Sequence, residues 1–252
     1  MRIYPLSEGS FTIDQTKEFV PFNTSMEDLQ SRPKGSLLVE IQPFVVVTDN
    51  DIILFDTGLG YFNNSGQLQL HENLMNIGID PSSVTKVFMS HLHKDHAGGL
   101  SYIHPTYNER FVSFPYAKYY IQKREFDLAM SGQTSSYLAE QVSILAQFSG
   151  VVWLTQDEGI IDDLIHYKLT AGHSLYHQVA WMKENDITFF YGGDEAPQLQ
   201  QMKSKFVAKY DLDGKKAMEW RQLWWEEGKI NEWTFAFYHD ITFPTYKHSA
   251  LL

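Results

Sequence analysis

The segment His91-Leu92-His93-Lys94-Asp95-His96 places three imidazoles and one carboxylate within six positions. It follows the largely apolar run Val84-Thr85-Lys86-Val87-Phe88-Met89-Ser90, which reads as a buried strand. Gly98-Gly99 comes next and lets the backbone turn tightly. A neutral imidazole is a leading zinc ligand, and a carboxylate beside it suits a second, harder cation. His91 and His93 are two apart, so on an extended segment both side chains fall on one side and can share a metal. Asp95 and His96 follow as the chain turns and can face a second one. A polar, His-rich loop is the plain alternative, but four metal-ligand types in so short a stretch are hard to explain as filling.

A metal needs further protein ligands, and three downstream segments offer them. Thr170-Ala171-Gly172-His173, Tyr191-Gly192-Gly193-Asp194 and Phe237-Tyr238-His239 each continue from an extended apolar run. In layered α/β folds such strand ends converge on one crevice. Each has a structural alternative. His173 could be a turn residue, Asp194 a helix cap, and His239 a buried structural histidine. Phe55-Asp56-Thr57-Gly58 also ends a strand-like run, where an aspartate can simply serve a hairpin turn. His71, His104, His166 and His248 have no such setting and read as surface or structural residues.

The H-x-H-x-D-H stretch and its downstream partners resemble the signature of the metallo-β-lactamase superfamily, from Leu38 to His239. The resemblance implies an αββα sandwich of two mixed β-sheets flanked by helices, with a dinuclear metal site. By the same resemblance His91, His93 and His173 would hold the first metal, and Asp95, His96 and His239 the second. Asp194 would bridge the two. Asp56 would support a ligand histidine, whose other ring nitrogen usually needs a partner, and His177 would support rather than ligate. Two cations sharing a water would lower its pKa from 15.7 toward about 7, so hydroxide becomes available near neutral pH. Asp95, between the two ligand groups, is the candidate catalytic proton shuttle. Zinc is the first expectation, and manganese, iron and cobalt suit the same donors.

Within the superfamily the chain is most similar to N-acyl homoserine lactone lactonases and related hydrolases. Ser90 to Leu100 carries that similarity, as does Phe114-Pro115-Tyr116-Ala117 leading into Tyr120-Ile121-Gln122-Lys123. The chain has no cysteine, which sets it apart from β-lactamases with a thiolate ligand. His93 stands where the flavin-linked diiron branch has Glu. Such lactonases often place a tyrosine three residues after the bridging aspartate to hold the substrate carbonyl. Here that position is Pro197, so an equivalent hydroxyl must come from elsewhere or be missing. The expected function is a metal-dependent hydrolase of a small lactone, ester or similar molecule. Two other classes stay open: a phosphodiesterase or phosphonate hydrolase with the same metals, and a non-hydrolytic mononuclear-iron oxygenase or metal-binding protein.

The elements that must position these residues follow from the pattern. A length of 252 residues with 43% hydrophobic and 15% aromatic content supports a sizeable core, read as one α/β domain over 1–252. The net charge of −11 repels phosphate backbones and argues against a nucleic-acid partner. Without cysteines there is no disulfide framework. Met1 to Pro5 lacks an apolar signal core, and no run of about 20 apolar residues exists to span a bilayer. A cytoplasmic enzyme, monomer or homodimer, acting on a small molecule is therefore expected.

Leu37–Ile41, Phe44–Thr48 and Ile52–Phe55 read as hairpin strands of one sheet. Ala117–Ile121, Val151–Leu154, Tyr167–Thr170, Gln178–Lys183, Ile187–Tyr191 and Thr234–Tyr238 also look extended. Helical spacing covers Leu68–Ile77, Lys123–Met130, Ser136–Phe148, Gln198–Tyr210 and Lys215–Glu227. Phe19 to Gly35 reads as an irregular loop. Trp220 and Trp224 are more simply core residues than the wall of a pocket.

Overall fold

Alternation along the strands sets the layers. A computed structural model describes residues 1–248. One six-stranded sheet runs in the order Arg2–Pro5, Phe44–Val47, Ile52–Phe55, Lys86–Phe88, Lys118–Gln122, Val151–Leu154. Its first three strands pair antiparallel, and the others join in parallel. A second six-stranded sheet has the order Glu158–Ile161, Ile165–Leu169, Gln178–Glu184, Ile187–Tyr191, Thr234–Ala236, Thr245–Lys247. All its pairs are antiparallel except Ile187–Tyr191 with Thr234–Ala236.

Phe44, Val46, Ile53, Phe55 and Phe88 of the first sheet pack against Tyr167, Ala180, Met182, Phe189 and Tyr191 of the second. Val45, Leu54, Val87 and Tyr119 belong to the opposite face. There they meet Leu70 and Leu74 of helix Gln69–Asn76, Phe126 and Ala129 of Lys123–Met130, and Val142 of Ala139–Val142. On the far side of the second sheet, Val179, Phe190 and Phe235 meet Leu199 and Met202 of Leu199–Met202 and Trp224 of Gly214–Ile230. Both sheets are thus buried on two faces, which explains their nearly continuous apolar runs. Each large side chain so buried contributes about 1.5–3 kcal/mol. The result is the αββα sandwich that the resemblance implied.

Several local expectations need correction. Leu37–Ile41 does not join the sheet of Phe44–Val47 and Ile52–Phe55. It pairs with Gly9–Ile13 in a separate three-stranded sheet completed by Val20–Pro21. Only Ala139–Val142 is α-helical within Ser136–Phe148, with a 3-10 turn over Ser143–Ala146. Only Leu199–Met202 is helical within Gln198–Tyr210, because the backbone beyond it is claimed by other partners. Leu212 and Asp213 donate to the carbonyls of His173 and Gly172, and Phe206 accepts from Arg221. Trp220 and Trp224 stack at 5.4 Å within the outer core, as core residues rather than a pocket wall.

Two loops at the strand ends pack backbone to backbone. A Cβ at Gly98 would run into the carbonyl of Leu59, and one at Gly60 into the carbonyl of Gly98. Glu8 braces the same region, and its Oε2 accepts the Leu59 N–H at 2.7 Å. Burial pushes the Glu8 carboxyl up to about 8, against a smaller opposing effect of that hydrogen bond.

The folded protein therefore holds the Glu8 proton between about pH 4.5 and 8 while the unfolded chain releases it, so stability falls as pH rises across that window. Glu8→Gln keeps the acceptor for Leu59 and removes this loss. Thermal melts should show the variant gaining on wild type from pH 5 to 8, by about 2–4 °C for each kcal/mol. A gap that stays constant with pH would refute the assignment.

Candidate metal centre

The candidate site lies at the carboxyl ends of strands from both sheets. Lys86–Phe88 leads to His91 through His96, and Ile52–Phe55 to Asp56. Ile165–Leu169 leads to His173, Ile187–Tyr191 to Asp194, and Thr234–Ala236 to His239. The seven residues singled out as ligand types are brought together, and they fall into two groups. His91, His93, His173 and Asp194 offer donor atoms within 4.8 Å of one another, and so do Asp95, His96 and His239.

Asp194 lies between the groups. Its Oδ2 is 3.2 Å from His173 Nε2 and 3.9 Å from His91 Nε2. Its Oδ1 is 2.9 Å from His239 Nε2 and 3.1 Å from His96 Nε2. Asp95 Oδ2 sits 3.5 Å from His239 Nε2 and 3.7 Å from His96 Nε2. His91 Nε2, His96 Nε2 and Asp194 Oδ1 are buried without hydrogen-bond partners. Buried polar atoms normally have partners, so these orphaned atoms, gathered around Asp194, fit cations there.

The opposite ring nitrogens are spoken for. His96 Nδ1 is 2.7 Å from Asp56 Oδ2, His173 Nδ1 is 2.9 Å from Asp211 Oδ1, and His239 Nδ1 is 2.7 Å from the Glu40 carbonyl. His91 Nδ1 lies 3.0 Å from Ser90 Oγ. Because Ser90 Oγ donates to Asp56, the His91 ring donates to it, and the inward nitrogens keep their lone pairs. His177 has both ring nitrogens engaged. Its Nε2 accepts the Asp194 N–H at 3.2 Å, and its Nδ1 lies 3.2 Å from Thr170 Oγ1.

Asp56, Ser90, His91 and His96 also cluster tightly, but the Asp56 carboxylate is already saturated. It accepts from Ser90 N (2.7 Å), Ser90 Oγ (2.6 Å), Tyr191 Oη (2.6 Å) and His96 Nδ1 (2.7 Å). Asp56 is held with φ +56°, in the left-handed region that costs a non-glycine residue energy.

Without a cation, charge in the cluster is unevenly shared. Burial pushes His91 and His93 well below the usual imidazole value, and neighbouring rings push them further. Burial is the largest effect on His96, His173 and His239 and opposes their charged forms, but Asp194 together with Asp95 (for His96 and His239) and Asp211 (for His173) outweighs it and holds all three up. Burial raises Asp194, and His239, His96 and His173 overcome that, so it stays well below the usual carboxylate range.

Sequence reasoning missed a ring of bracing groups. Glu125 Oε1 accepts from Leu92 N at 3.1 Å and from Tyr137 Oη at 3.0 Å, and the Tyr137 ring lies 4.8 Å from that of His93. Glu195 Oε2 accepts the His173 N–H at 2.7 Å. The fully buried Arg221 donates to the Glu195 carbonyl at 2.9 Å and lies 4.0 Å from Asp211. Adjacency of Glu195 to Asp194 was the one available signal. Asp211, Glu125 and Arg221 carry none in their local sequence.

A family model described as the metallo-β-lactamase superfamily matches residues 40–223. The chain belongs to the metallo-β-lactamase superfamily. No curated protein matches it. Among solved structures, a probable metal-dependent hydrolase from Staphylococcus aureus aligns with TM-score 0.79 at 18% identity, covering 98% of this chain and 92% of that one. AidC, a dizinc quorum-quenching lactonase, aligns with TM-score 0.69 at 18% identity, covering 96% and 88%. The hydrolase AbOPH of the β-lactamase superfamily aligns with TM-score 0.68 at 23% identity, covering 98% and 90%. At these identities the likeness shows the shared fold.

Replacing Asp56 by Ala would strand four buried donors at once. We expect Asp56→Ala to destabilise the metal-free protein by about 3–5 kcal/mol in denaturant titrations. An unchanged midpoint would show that this carboxylate is not the brace its contacts describe.

Proposed function

We propose that the protein is a dinuclear metallohydrolase acting on a small lactone, ester or similar substrate. The observation that carries this reading is Asp194, whose two oxygens face two separate ligand groups. His91, His93 and His173 would hold one divalent cation, and Asp95, His96 and His239 the other, with Asp194 between them. Zinc suits this all-nitrogen-and-oxygen set, as would manganese, iron or cobalt. The chemistry the ions supply when bound is an acidified water and a polarised acyl oxygen.

The protein's own residues do the rest. Asp95 Oδ2, beside both His96 and His239, is placed to take a proton and pass it to the leaving group. Its backbone carbonyl is pinned by Tyr238 Oη at 2.6 Å. With Pro197 lacking a hydroxyl, Tyr210 is the candidate replacement. Its ring lies 6.1 Å from that of His173, and its oxygen accepts from Gln201 Nε2 at 3.0 Å, which leaves its own proton free for a substrate oxygen. Superfamily membership and the lactonase among the similar structures support the hydrolytic reading. Among the described residues no helix is long and apolar enough to cross a membrane. Action in the cytoplasm is part of the proposal.

Elemental analysis of protein purified without added metal should find about two equivalents of metal per chain, falling in Asp194→Ala. One equivalent, or mostly iron, would sink the dinuclear reading. On the metal-loaded enzyme, lactones and esters should be turned over in preference to phosphodiesters. Asp95→Asn should lower the rate by about 10²–10⁴-fold, the usual share of general acid–base catalysis. Full activity with both metals retained would remove Asp95 from the mechanism.

A further inference from the structure

Of the seven candidate ligands His93 alone is half-buried, and the other six are buried, so the centre opens to solvent on the His93 side. Three segments of the chain meet there. The Lys94 N–H donates to the Ser136 carbonyl at 2.9 Å, and Lys94 Nζ donates to the Lys17 carbonyl. Lys17 Nζ crosses back to Ser136 Oγ at 2.8 Å. Tyr137, the next residue, carries the ring that packs 4.8 Å from His93. The Lys17 backbone is held at φ +60°, a strain that this latch must outweigh.

The latch puts two half-buried ammonium groups on one rim and neutralises neither. Each donates to an uncharged oxygen, and among the described residues neither has a carboxylate partner. An ammonium has three N–H donors, so each keeps two. Asp14, in the same turn as Lys17, is engaged by the Thr16 N–H at 2.9 Å and the Thr16 hydroxyl at 2.7 Å. Glu18 is exposed, where solvent screens it. Asp95, next to Lys94, belongs to the ligand groups. The Phe19 ring flanks Lys94 Nζ, with its centre 5.7 Å away. Like charges held on one rim repel, and an anion between them relieves that cost.

We propose that Lys17 and Lys94 are specificity-determining residues that hold a free carboxylate on the substrate, so that the preferred lactone or ester is an anionic one. The proposal deepens the hydrolase reading and rests on it for the bond that reacts. A net charge of −11 repels anions over most of the surface, so cations at the open side of the centre steer and orient them. Ammonium-to-carboxylate hydrogen bonds are about twice as strong as neutral ones, which makes the free donors worth using. Lys94 stands between His93 and Asp95, so the anchor for the substrate and two candidate ligands share one short backbone segment.

The test compares the mono-p-nitrophenyl ester of adipic acid with p-nitrophenyl hexanoate, an acyl chain of the same length without the charge, on metal-loaded protein. Wild type should favour the anionic ester in kcat/KM. Lys17→Gln keeps a donor for Ser136 and removes the charge, and it should lower that preference about tenfold. Lys17→Arg should retain most of it. Lys183→Gln, at the far end of strand Gln178–Glu184, should show the wild-type preference. Calorimetric titration with adipate and with hexanoate separates this proposal from the hydrolase reading. If neither ester is cleaved but adipate binds more tightly than hexanoate and loses that advantage in Lys17→Gln, the anion site stands and the hydrolase reading falls. If the preference is absent in wild type, or survives in Lys17→Gln, the anion site is overturned, whether or not esters are cleaved. An equal loss in Lys183→Gln would overturn it in favour of a diffuse charge effect.

Discussion

The rest of the structure depends on the Asp56 carboxylate and its four donors. Tyr191 reaches it from the second sheet, and Ser90 and His96 from the segment after Lys86–Phe88. One carboxylate thus closes the gap between the two sheets at the end where the loops carrying the candidate ligands emerge. It aims His96 directly, and it aims His91 through Ser90. The left-handed backbone at Asp56 persists because four hydrogen bonds outweigh about 1–3 kcal/mol of strain. The sandwich supplies the frame. The inter-sheet core of Phe55, Phe88 and Tyr191 places the three strand ends so that such a carboxylate can span them.

The centre that results is electrostatically incomplete. Three rings each spend one nitrogen on a carboxylate or carbonyl outside the cluster, so in the neutral ring the proton sits there and the other nitrogen faces inward with its lone pair. Packed this closely, histidines suppress one another's protonation, while Asp194 draws protons back to His96, His173 and His239. These demands conflict as long as protons are the only positive charge. Divalent ions would meet all of them at once, since they replace several partial protonations with fixed charge at the geometric centre.

The ligand types were legible in the sequence because each sits in a short local context: an imidazole or carboxylate just past an apolar strand, with a glycine turn immediately before it at His173 and Asp194 and just after the cluster at Gly98-Gly99. The layers were legible because burial on both faces produces continuous apolar runs. The bracing residues were not, because their meaning comes from distant approach. Glu125 lies on an ordinary-looking amphipathic helix, and only the fold brings its carboxylate under Leu92. Asp211 sits between two stretches whose spacing suggests helices, Gln198–Tyr210 and Lys215–Glu227, and tertiary hydrogen bonds from Leu212 and Asp213 tie this connection to the His173 loop and deliver Asp211 to His173. Leu37–Ile41 found a partner at Gly9–Ile13 that the glycine-interrupted N-terminal pattern did not announce.

The same comparison explains why so many acids are buried here. Glu8, Glu125 and Glu195 each accept a backbone N–H from a loop near the site, and burial raises all three, to about 8, 7 and 7. An apolar residue in any of these places would relieve the desolvation cost but leave a loop N–H without an acceptor. Helix or sheet pairing cannot satisfy those groups, because the loops must stay irregular to turn their side chains inward. Side-chain acceptors at fixed depth are the remaining solution, and the two outer apolar layers offset their cost. The stability lost to buried acids is therefore the consequence of holding seven ligand types on irregular backbone, and it falls where the geometry of the centre is decided.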